Sequence, residues 1–269
     1  MSTEIRTLIL DRRTMDYFCF GDESNEKLVV LPGLSLKSVM GSADAIVSAY
    51  APMAEKYQVY FFDRIRKFPK GYDISAMAED TLAAFEKASI GKAHVMGVSQ
   101  GGMIALLMAL KKPEAISSLI LCSSASRIPE SSKAGFANWK KLAEERDLRK
   151  LSEAFGDAVY SPSFYAQYKE LIIAASQGAT ESDFTNFIIS LEGTADFDVF
   201  ERLNEIKCPV SVIAAGEDRV LGVHSSLEIV RKLGCASYIY EGYGHGVYDE
   251  APDYLEHVKA FLADVKQKV

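Results

Sequence analysis

Short, nearly continuous apolar runs recur along this chain, and most are followed by a segment with amphipathic helical spacing. "KLVVLPG", "QVYFFD", "AHVMGVS", "ISSLILCSS" and "PVSVIAAGED" are the clearest of these runs. Runs without alternating polarity indicate strands that are covered on both faces, which is typical of a parallel sheet with helices on each side. This alternation of strands and helices therefore predicts an α/β fold with a mostly parallel, doubly wound sheet of about eight strands.

The alternation of strands and helices is interrupted between about residues 127 and 200. This region has no convincing strand and carries many aromatic residues at helical spacing. Because strands resume at "PVSVIAAGED", the region is interpreted as a helical cap inserted into one α/β core. The prediction assigns residues 1–126 and 201–269 to the core and residues 127–200 to the cap.

Composition narrows the classes of partner. The chain has 269 residues, of which 48% are hydrophobic and 25% charged, so it can bury a full core. Its net charge of −7 argues against a nucleic-acid partner, which would require a basic surplus. Early charges in "MSTEIRTLILDRRTM" argue against a secretory signal, and the longest apolar stretch is too short to span a bilayer. We expect a cytoplasmic protein that acts on a small molecule, with no membrane partner.

Cofactor motifs are missing from the sequence. The four cysteines show no metal-ligand spacing and lie in or beside apolar runs, which favours reduced core thiols. No phosphate-binding loop or dinucleotide fingerprint occurs either. The sequence therefore predicts neither a metal site nor a cofactor, and it does not indicate an oligomeric state.

The stretch "VMGVSQGGM" places Ser99 between Gly97 and Gly101, where an apolar run meets a helical run. A strand that turns at once into a helix leaves its middle residue strained, and side chains two positions away would collide with the adjacent elements. Glycine has no Cβ and removes both collisions. The pattern predicts a serine hydroxyl raised at the sheet edge, beside the free N–H groups of a helix start. A glycine-rich turn with a bystander serine is the alternative.

At this point the chain resembles the α/β-hydrolase superfamily, whose nucleophile lies on such a turn. The resemblance implies an acid after a later strand and a histidine after the last strand. Asp218 follows "VSVIAAGE", and His245 lies in "YIYEGYGHG". The resemblance covers nearly the whole chain outside the cap. It implies a Ser99–His245–Asp218 triad, in which imidazole takes the serine proton and the carboxylate orients the imidazole.

The same resemblance implies two backbone donors for a developing oxyanion. One is the N–H of Gln100, and the other, by its position after "VVLPG", is the N–H of Leu34. Here the chain departs from the family, because Pro32-Gly33 stands where relatives usually have His-Gly. The N–H of Leu34 survives this change, so the oxyanion hole stays a prediction.

Other residues compete for these roles. Glu217 neighbours Asp218 and is an alternative orienting acid, and Asp196 or Asp198 would serve if the acid followed an earlier strand. The remaining histidines are interpreted as structural or solvent-exposed: His94, His224 and His257.

Substrate contacts are the least specific predictions. Met103 and Trp139 are candidates for lining an apolar pocket, although helical spacing also suits the core of the cap. Arg64 begins the basic stretch "RIRKFPK" beside the expected site. One hypothesis makes this stretch a cationic rim that attracts an acidic substrate. The other makes it a solvated loop, which is what charge runs usually are.

The resulting hypothesis is a cofactor-free serine hydrolase that cleaves a small carboxylic ester through an acyl-enzyme. A carbon–carbon bond hydrolase, a lactonase or an aminopeptidase of the same fold stays open, because these enzymes share the triad. A ligand-sensing module with slow turnover is an alternative of another class. Haloalkane dehalogenases and epoxide hydrolases are excluded because they use aspartate at the position of Ser99.

Overall fold

A computed structural model describes residues 2–267 and contains one eight-stranded sheet, which confirms the predicted α/β fold. The outermost residues of the predicted core, 1 and 268–269, lie outside the described residues. The strands are β1 (Arg6–Leu10), β2 (Arg13–Phe20), β3 (Glu26–Leu31), β4 (Tyr57–Ile65), β5 (Ala93–Val98), β6 (Ile116–Cys122), β7 (Val210–Ala215) and β8 (Ala236–Tyr240).

The sheet is mostly parallel. Its strand order is β1-β2-β4-β3-β5-β6-β7-β8. Only β2 runs against its neighbours, since it pairs antiparallel with β1 and β4, while β4, β3, β5, β6, β7 and β8 pair in parallel. The carboxyl ends of β3, β5, β7 and β8 therefore lie along one edge of the sheet, which is where ligands bind in folds of this kind.

Helices cover both faces of the sheet. Residues of α1 and α10, such as Met53 and Leu262, belong to one buried apolar cluster. Residues of α2, α3 and α8, such as Met77, Leu106 and Ile229, belong to the other. The α-helices within residues 2–267 are α1 (Ala43–Ala54), α2 (Ile74–Lys87), α3 (Gln100–Lys111), α4 (Lys133–Glu144), α5 (Leu148–Val159), α6 (Pro162–Ala175), α7 (Glu181–Thr194), α8 (Val223–Leu233), α9 (Val247–Glu250) and α10 (Tyr254–Gln267). In the described part of the chain, none is both long and apolar enough to cross a bilayer.

Four helices, α4 to α7, lie between β6 and β7, and this segment is called here the cap. A single antiparallel bridge between Arg127 and Asp198 joins the two ends of this segment at its base. The buried cap residues Trp139, Phe187 and Leu191 belong to the same apolar cluster as α2 and α3. The cap therefore packs directly on the core, at the edge where the strands end.

The fourth strand is longer than the sequence indicated. "QVYFFD" ends at Asp63, whereas β4 continues to Ile65, which pairs with Met15 of β2. Arg64 and Ile65 are buried, with 8% and 2% of their surface exposed. The loop after β4 therefore begins two residues later than predicted, because the pairing of Ile65 with β2 keeps Arg64 within the strand.

The turn between β5 and α3 is tightly packed. Ser99 lies at this turn with φ 51° and ψ −117°. Residues other than glycine rarely adopt a positive φ. A Cβ at Gly97 would collide with the backbone of Gly101 and Gly102, and a Cβ at Gly101 would collide with the carbonyl of Leu31. Both glycines are therefore required by the close approach of α3 to the ends of β5 and β3.

We expect Gly101→Ala to destabilise the protein by about 1–3 kcal/mol, because the obstructing atoms belong to backbone and cannot rotate away. The measurement is the urea midpoint of unfolding. The matched control is Gly135→Ala in α4, where an added Cβ meets no atom within 4 Å. That control should gain up to about 1 kcal/mol from helix propensity. A Gly101→Ala midpoint equal to or above that of the wild type would contradict this packing argument.

Candidate active site

Ser99 opens onto a cavity between the core and the cap. The cavity, called here the Ser99 cavity, has about 480 Å³ of space between atoms, part of which is open to solvent. The side chain of Ser99 is half-buried. Apolar lining residues come from both layers: Met103 from α3, and Phe136, Trp139, Phe155 and Leu191 from the cap. Met103 and Trp139, the candidates for lining an apolar pocket, both line this cavity.

Asp218 and His245 form a buried pair at the same edge of the sheet. Asp218 follows β7 and His245 follows β8, and only 9% and 3% of their surfaces are exposed. The Nδ1 of His245 lies 2.8 Å from Oδ2 of Asp218. The other carboxylate oxygen accepts hydrogen bonds from the N–H groups of Val220 at 2.8 Å and Leu221 at 2.9 Å. Three donors therefore hold the carboxylate in place.

These donors keep Asp218 ionised despite its burial. Burial by itself raises the pKa of a carboxyl group, because it penalises the charged form. The interaction with His245 and the two backbone N–H groups outweighs this, so the pKa of Asp218 lies below its ordinary value. Asp218 is therefore a carboxylate at neutral pH, and its partner nitrogen on His245 is the one that carries a proton.

His245 and Ser99 line the same cavity. With Nδ1 directed to Asp218, the imidazole has Nε2 left for a proton exchange with the serine. In residues 2–267 the Ser99 hydroxyl donates no hydrogen bond to a protein acceptor, so it is free to face an incoming group. A Ser99–His245–Asp218 triad requires two contacts. The structure contains the hydrogen bond between His245 and Asp218, and it places Ser99 in the same cavity as His245.

The competing acids lie elsewhere. Glu217, Asp196 and Asp198 are exposed, and none of them lines the Ser99 cavity. The competing histidines are also remote. His94 is buried in β5, where its Nδ1 lies 2.8 Å from the hydroxyl of Ser118. The other two, His224 and His257, lie on α8 and α10 outside the cavity.

Two backbone N–H groups at the cavity are available as donors. Leu34 and Gln100 both line the Ser99 cavity, and Gln100 is the first residue of α3. Within the described residues, neither N–H donates to an acceptor of the protein. A helix start also presents the positive end of its dipole. The arrangement can stabilise negative charge that develops beside Ser99, and the Pro32-Gly33 loop keeps Leu34 at the cavity.

Arg64 does not occupy the position that the sequence suggested. It is absent from the lining of the Ser99 cavity. Its guanidinium donates hydrogen bonds to the carbonyls of Pro32 at 3.1 Å and Gly33 at 2.5 Å, and to Oε1 of Gln100 at 3.0 Å. Both hypotheses for Arg64, a substrate contact or a solvated loop residue, are therefore replaced by a buried contact behind the cavity.

The rest of the basic stretch does not line the cavity either. Arg66 is exposed and pairs with Asp16, with 2.6 Å between its Nε and Oδ2 of the carboxylate. Lys67 and Lys70 are exposed, and neither they nor Arg66 line the Ser99 cavity. The stretch does not form a cationic rim around Ser99.

Sequence reasoning missed several residues of the site. Tyr248 lines the cavity without any signal in the sequence, and Phe136 and Phe155 line it although helical spacing could not separate them from the core of the cap. The amide of Gln100 donates to the hydroxyls of Ser190 at 2.9 Å and Thr194 at 2.7 Å on α7. No sequence signal indicates this link, because it joins residues about ninety positions apart.

Comparison with known proteins places this architecture in a family. The α/β-hydrolase fold family profile matches residues 52–252. A 3-oxoadipate enol-lactonase from Acinetobacter baylyi is 24% identical over 240 residues, covering 83% of this chain and 87% of that protein. A putative carbamate hydrolase, RutD, from Agrobacterium fabrum is 25% identical over 237 residues, covering 82% and 89%.

Solved structures show the same fold. MGS-M2, an α/β-hydrolase enzyme from a deep-sea metagenome library, superposes with a TM-score of 0.86 at 21% identity, covering 96% of this chain and 97% of that one. The enol-lactonase from Burkholderia xenovorans superposes with a TM-score of 0.83 at 18% identity, covering 96% and 100%. Family match, relatives and fold agree: this chain is a hydrolase that belongs to the α/β-hydrolase family.

Proposed function

We propose that this protein is a cofactor-free serine hydrolase that cleaves a small, uncharged carboxylic ester through an acyl-enzyme on Ser99. The observation that carries the proposal is the buried pair of His245 and Asp218, 2.8 Å apart, with the imidazole in the same cavity as Ser99. A serine hydroxyl is a weak nucleophile unless a base removes its proton. The imidazole is the only such base among the described residues lining that cavity.

In the proposed reaction, His245 takes the proton of Ser99 through Nε2 as the oxygen attacks the ester carbonyl. Asp218 holds the imidazole in the tautomer that leaves Nε2 unprotonated and stabilises the imidazolium that forms. The imidazolium then protonates the departing alcohol. Water, activated by His245 in the same way, hydrolyses the acyl-enzyme and restores Ser99.

The N–H groups of Leu34 and Gln100 supply the electrostatic part of the mechanism. Charge moves to the carbonyl oxygen as the tetrahedral intermediate forms. Donors that are already oriented stabilise this charge without reorganising, which makes them more effective than water. Both N–H groups lack a protein acceptor within the described residues, so this role requires no existing hydrogen bond to break.

The lining of the Ser99 cavity supports an uncharged substrate. Its wall is mainly apolar and aromatic, and no lysine or arginine is among the described residues that line it. A carboxylate on the substrate would lose its hydration there without gaining a cation, which is costly. Arg64 does not line the cavity, and its guanidinium donates instead to Pro32, Gly33 and Gln100.

A neutral lactone is the second candidate, because a curated relative and a structural neighbour are both named enol-lactonases. A lactone is a cyclic ester, so the same attack by Ser99 would open it. A 3-oxoadipate enol-lactone, however, keeps one free carboxylate, which the cavity does not pair. We therefore favour neutral esters and lactones over anionic ones for this chain.

We expect a fluorophosphonate probe to label Ser99 and the Ser99→Ala variant to show no labelling. Turnover of p-nitrophenyl butyrate should fall by about four to six powers of ten in that variant. Mass spectrometry of the labelled peptide and steady-state rates provide the measurement. Ser182→Ala, an exposed position on α7, is the matched control and should keep wild-type behaviour. Labelling at another residue, or one product per chain followed by a stall, would overturn the proposal.

We expect Asp218→Asn to lower kcat by about ten-thousandfold, since an amide stabilises the wrong imidazole tautomer while still accepting from Val220 and Leu221.

The lowered pKa of Asp218 also predicts a pH-dependent stability. The stabilisation is complete above the unfolded carboxyl value of about 3.9 and is lost as the pH falls through the lower folded value.

Urea unfolding of wild type and Asp218→Asn at pH 7 and pH 3 measures this stability. The difference between the two proteins should be largest at pH 7 and shrink at pH 3. The exposed Asp196→Asn serves as the control and should show no such trend. A difference that is independent of pH would argue against an ionised Asp218 in the folded protein.

We expect p-nitrophenyl butyrate to be hydrolysed with a kcat/KM about a hundredfold or more above that of mono-p-nitrophenyl succinate. The two esters share the leaving group and acyl chain length and differ in the terminal carboxylate. Stopped-flow release of p-nitrophenolate measures both rates. Equal values would contradict the inference from the cavity lining and favour an anionic substrate.

A further inference from the structure

Arg64 is a buried cation whose bonds go to carbonyl and amide oxygens. Its guanidinium has no carboxylate within 4.0 Å in the described part of the chain, and only 8% of the residue is exposed. Burial lowers the pKa of Arg64, and the charge of Asp63 raises it, but a guanidinium stays protonated at neutral pH. A buried charge needs its donors satisfied, and here the acceptors are Pro32, Gly33 and Gln100.

Two of these acceptors lie next to the N–H groups of the proposed oxyanion hole. The carbonyl of Gly33 and the N–H of Leu34 are parts of one peptide unit. A trans peptide is planar, so its oxygen and its N–H point in opposite directions. A guanidinium that holds the oxygen on one side therefore aims the N–H of Leu34 to the other side, where the Ser99 cavity lies.

The same hydrogen bond strengthens the donor. When the oxygen of an amide accepts from a charged donor, the peptide is polarised and its N–H becomes a better donor. Gln100, which supplies the other N–H, binds Arg64 through its side chain at 3.0 Å. Arg64 thus contacts the peptide unit that carries the N–H of Leu34, through the Gly33 carbonyl, and the side chain of Gln100.

The cap joins this network through Gln100. The side-chain nitrogen of Gln100 donates to the hydroxyls of Ser190 and Thr194 on α7, at 2.9 and 2.7 Å. The oxygen of the same amide accepts from Arg64. A continuous chain of hydrogen bonds therefore runs from α7 through Gln100 and Arg64 to the Gly33 carbonyl.

We propose that Arg64 is a positioning residue that holds the N–H groups of Leu34 and Gln100 in the orientation that binds the oxyanion, and that it connects this orientation to the cap helix α7. The inference rests on the proposed function. It assigns Arg64 no contact with substrate: its effect passes through the Gly33–Leu34 peptide and through Gln100. Its removal should therefore weaken binding of the transition state more than binding of the ester itself.

The test compares Arg64→Met with Arg66→Met. Both arginines lie at the end of the same segment, but Arg66 is exposed and bonds to Asp16 and Thr7, away from the oxyanion loop. We expect Arg64→Met to lower kcat for p-nitrophenyl butyrate about ten- to a hundredfold with KM unchanged, less than the loss of one oxyanion donor. Arg66→Met should keep the wild-type kcat.

A second readout separates orientation of the donors from general loss of structure. An alkyl trifluoromethyl ketone forms a tetrahedral oxyanion with an active serine, whereas the matching methyl ketone binds as a ground-state analogue. In Arg64→Met the inhibition constant of the trifluoromethyl ketone should rise by the same factor as kcat/KM falls. The inhibition constant of the methyl ketone should stay unchanged. A merely structural role would weaken both inhibitors or neither.

Two further variants keep the test decisive if Arg64→Met does not fold. Arg64→Lys retains the charge but has no planar fork to reach all three acceptors, so it should lie between wild type and Arg64→Met. Gln100→Met keeps the backbone N–H and removes the side-chain link to Arg64 and α7. It should lower kcat with a parallel loss of trifluoromethyl ketone affinity.

The outcomes distinguish this inference from the proposed function. If the folded wild type is neither labelled by a fluorophosphonate nor active on esters, the proposed function fails and this inference falls with it. If the wild type is active and the folded Arg64 variants keep wild-type kcat and trifluoromethyl ketone affinity, only the inference is overturned. The same conclusion follows if both ketones lose affinity equally.

Discussion

The turn between β5 and α3 is the constraint on which the site depends. Ser99 adopts φ 51° there. On either side of it, at Gly97 and Gly101, the packing of α3 against the ends of β5 and β3 leaves no room for a Cβ. This close approach sets the hydroxyl beside the start of α3 and beside the loop that carries Leu34. The position of the Ser99 hydroxyl relative to the N–H groups of Leu34 and Gln100 thus follows from backbone packing.

Two buried charges complete the surroundings of Ser99, and each is held in a different way. Asp218 is stabilised by His245 and by two backbone N–H groups, which lower its pKa despite burial. Arg64 donates hydrogen bonds to two backbone carbonyls and to the amide oxygen of Gln100. An isolated buried charge is costly, so each depends on loops that the fold holds in place. The result is a negative group beside His245 and a positive group beside the Gly33–Leu34 peptide and Gln100.

Much of this arrangement was predictable because its signals are local. Continuous apolar runs identified the parallel strands, and the eight-stranded sheet confirmed them. The resemblance to the α/β-hydrolases implied Ser99, Asp218 and His245, which follow β5, β7 and β8, and parallel strands end together at one edge. The extent of β4 was wrong, because pairing of Ile65 with Met15 is a contact between distant segments. For the same reason Arg64 was expected at a substrate site or in solvent.

The sequence by itself determined the fold class and the position of the turn at Ser99, because strand burial and glycine sterics are visible in short stretches of residues. The candidates for base and acid came from its resemblance to the α/β-hydrolases. Only the tertiary structure decided which acid meets His245, which cap residues line the Ser99 cavity and where the guanidinium of Arg64 is directed. Those contacts join residues as far apart as Gln100 and Thr194. Such contacts depend on how strands register and how the cap packs on the core, and neither is encoded in a short stretch of residues.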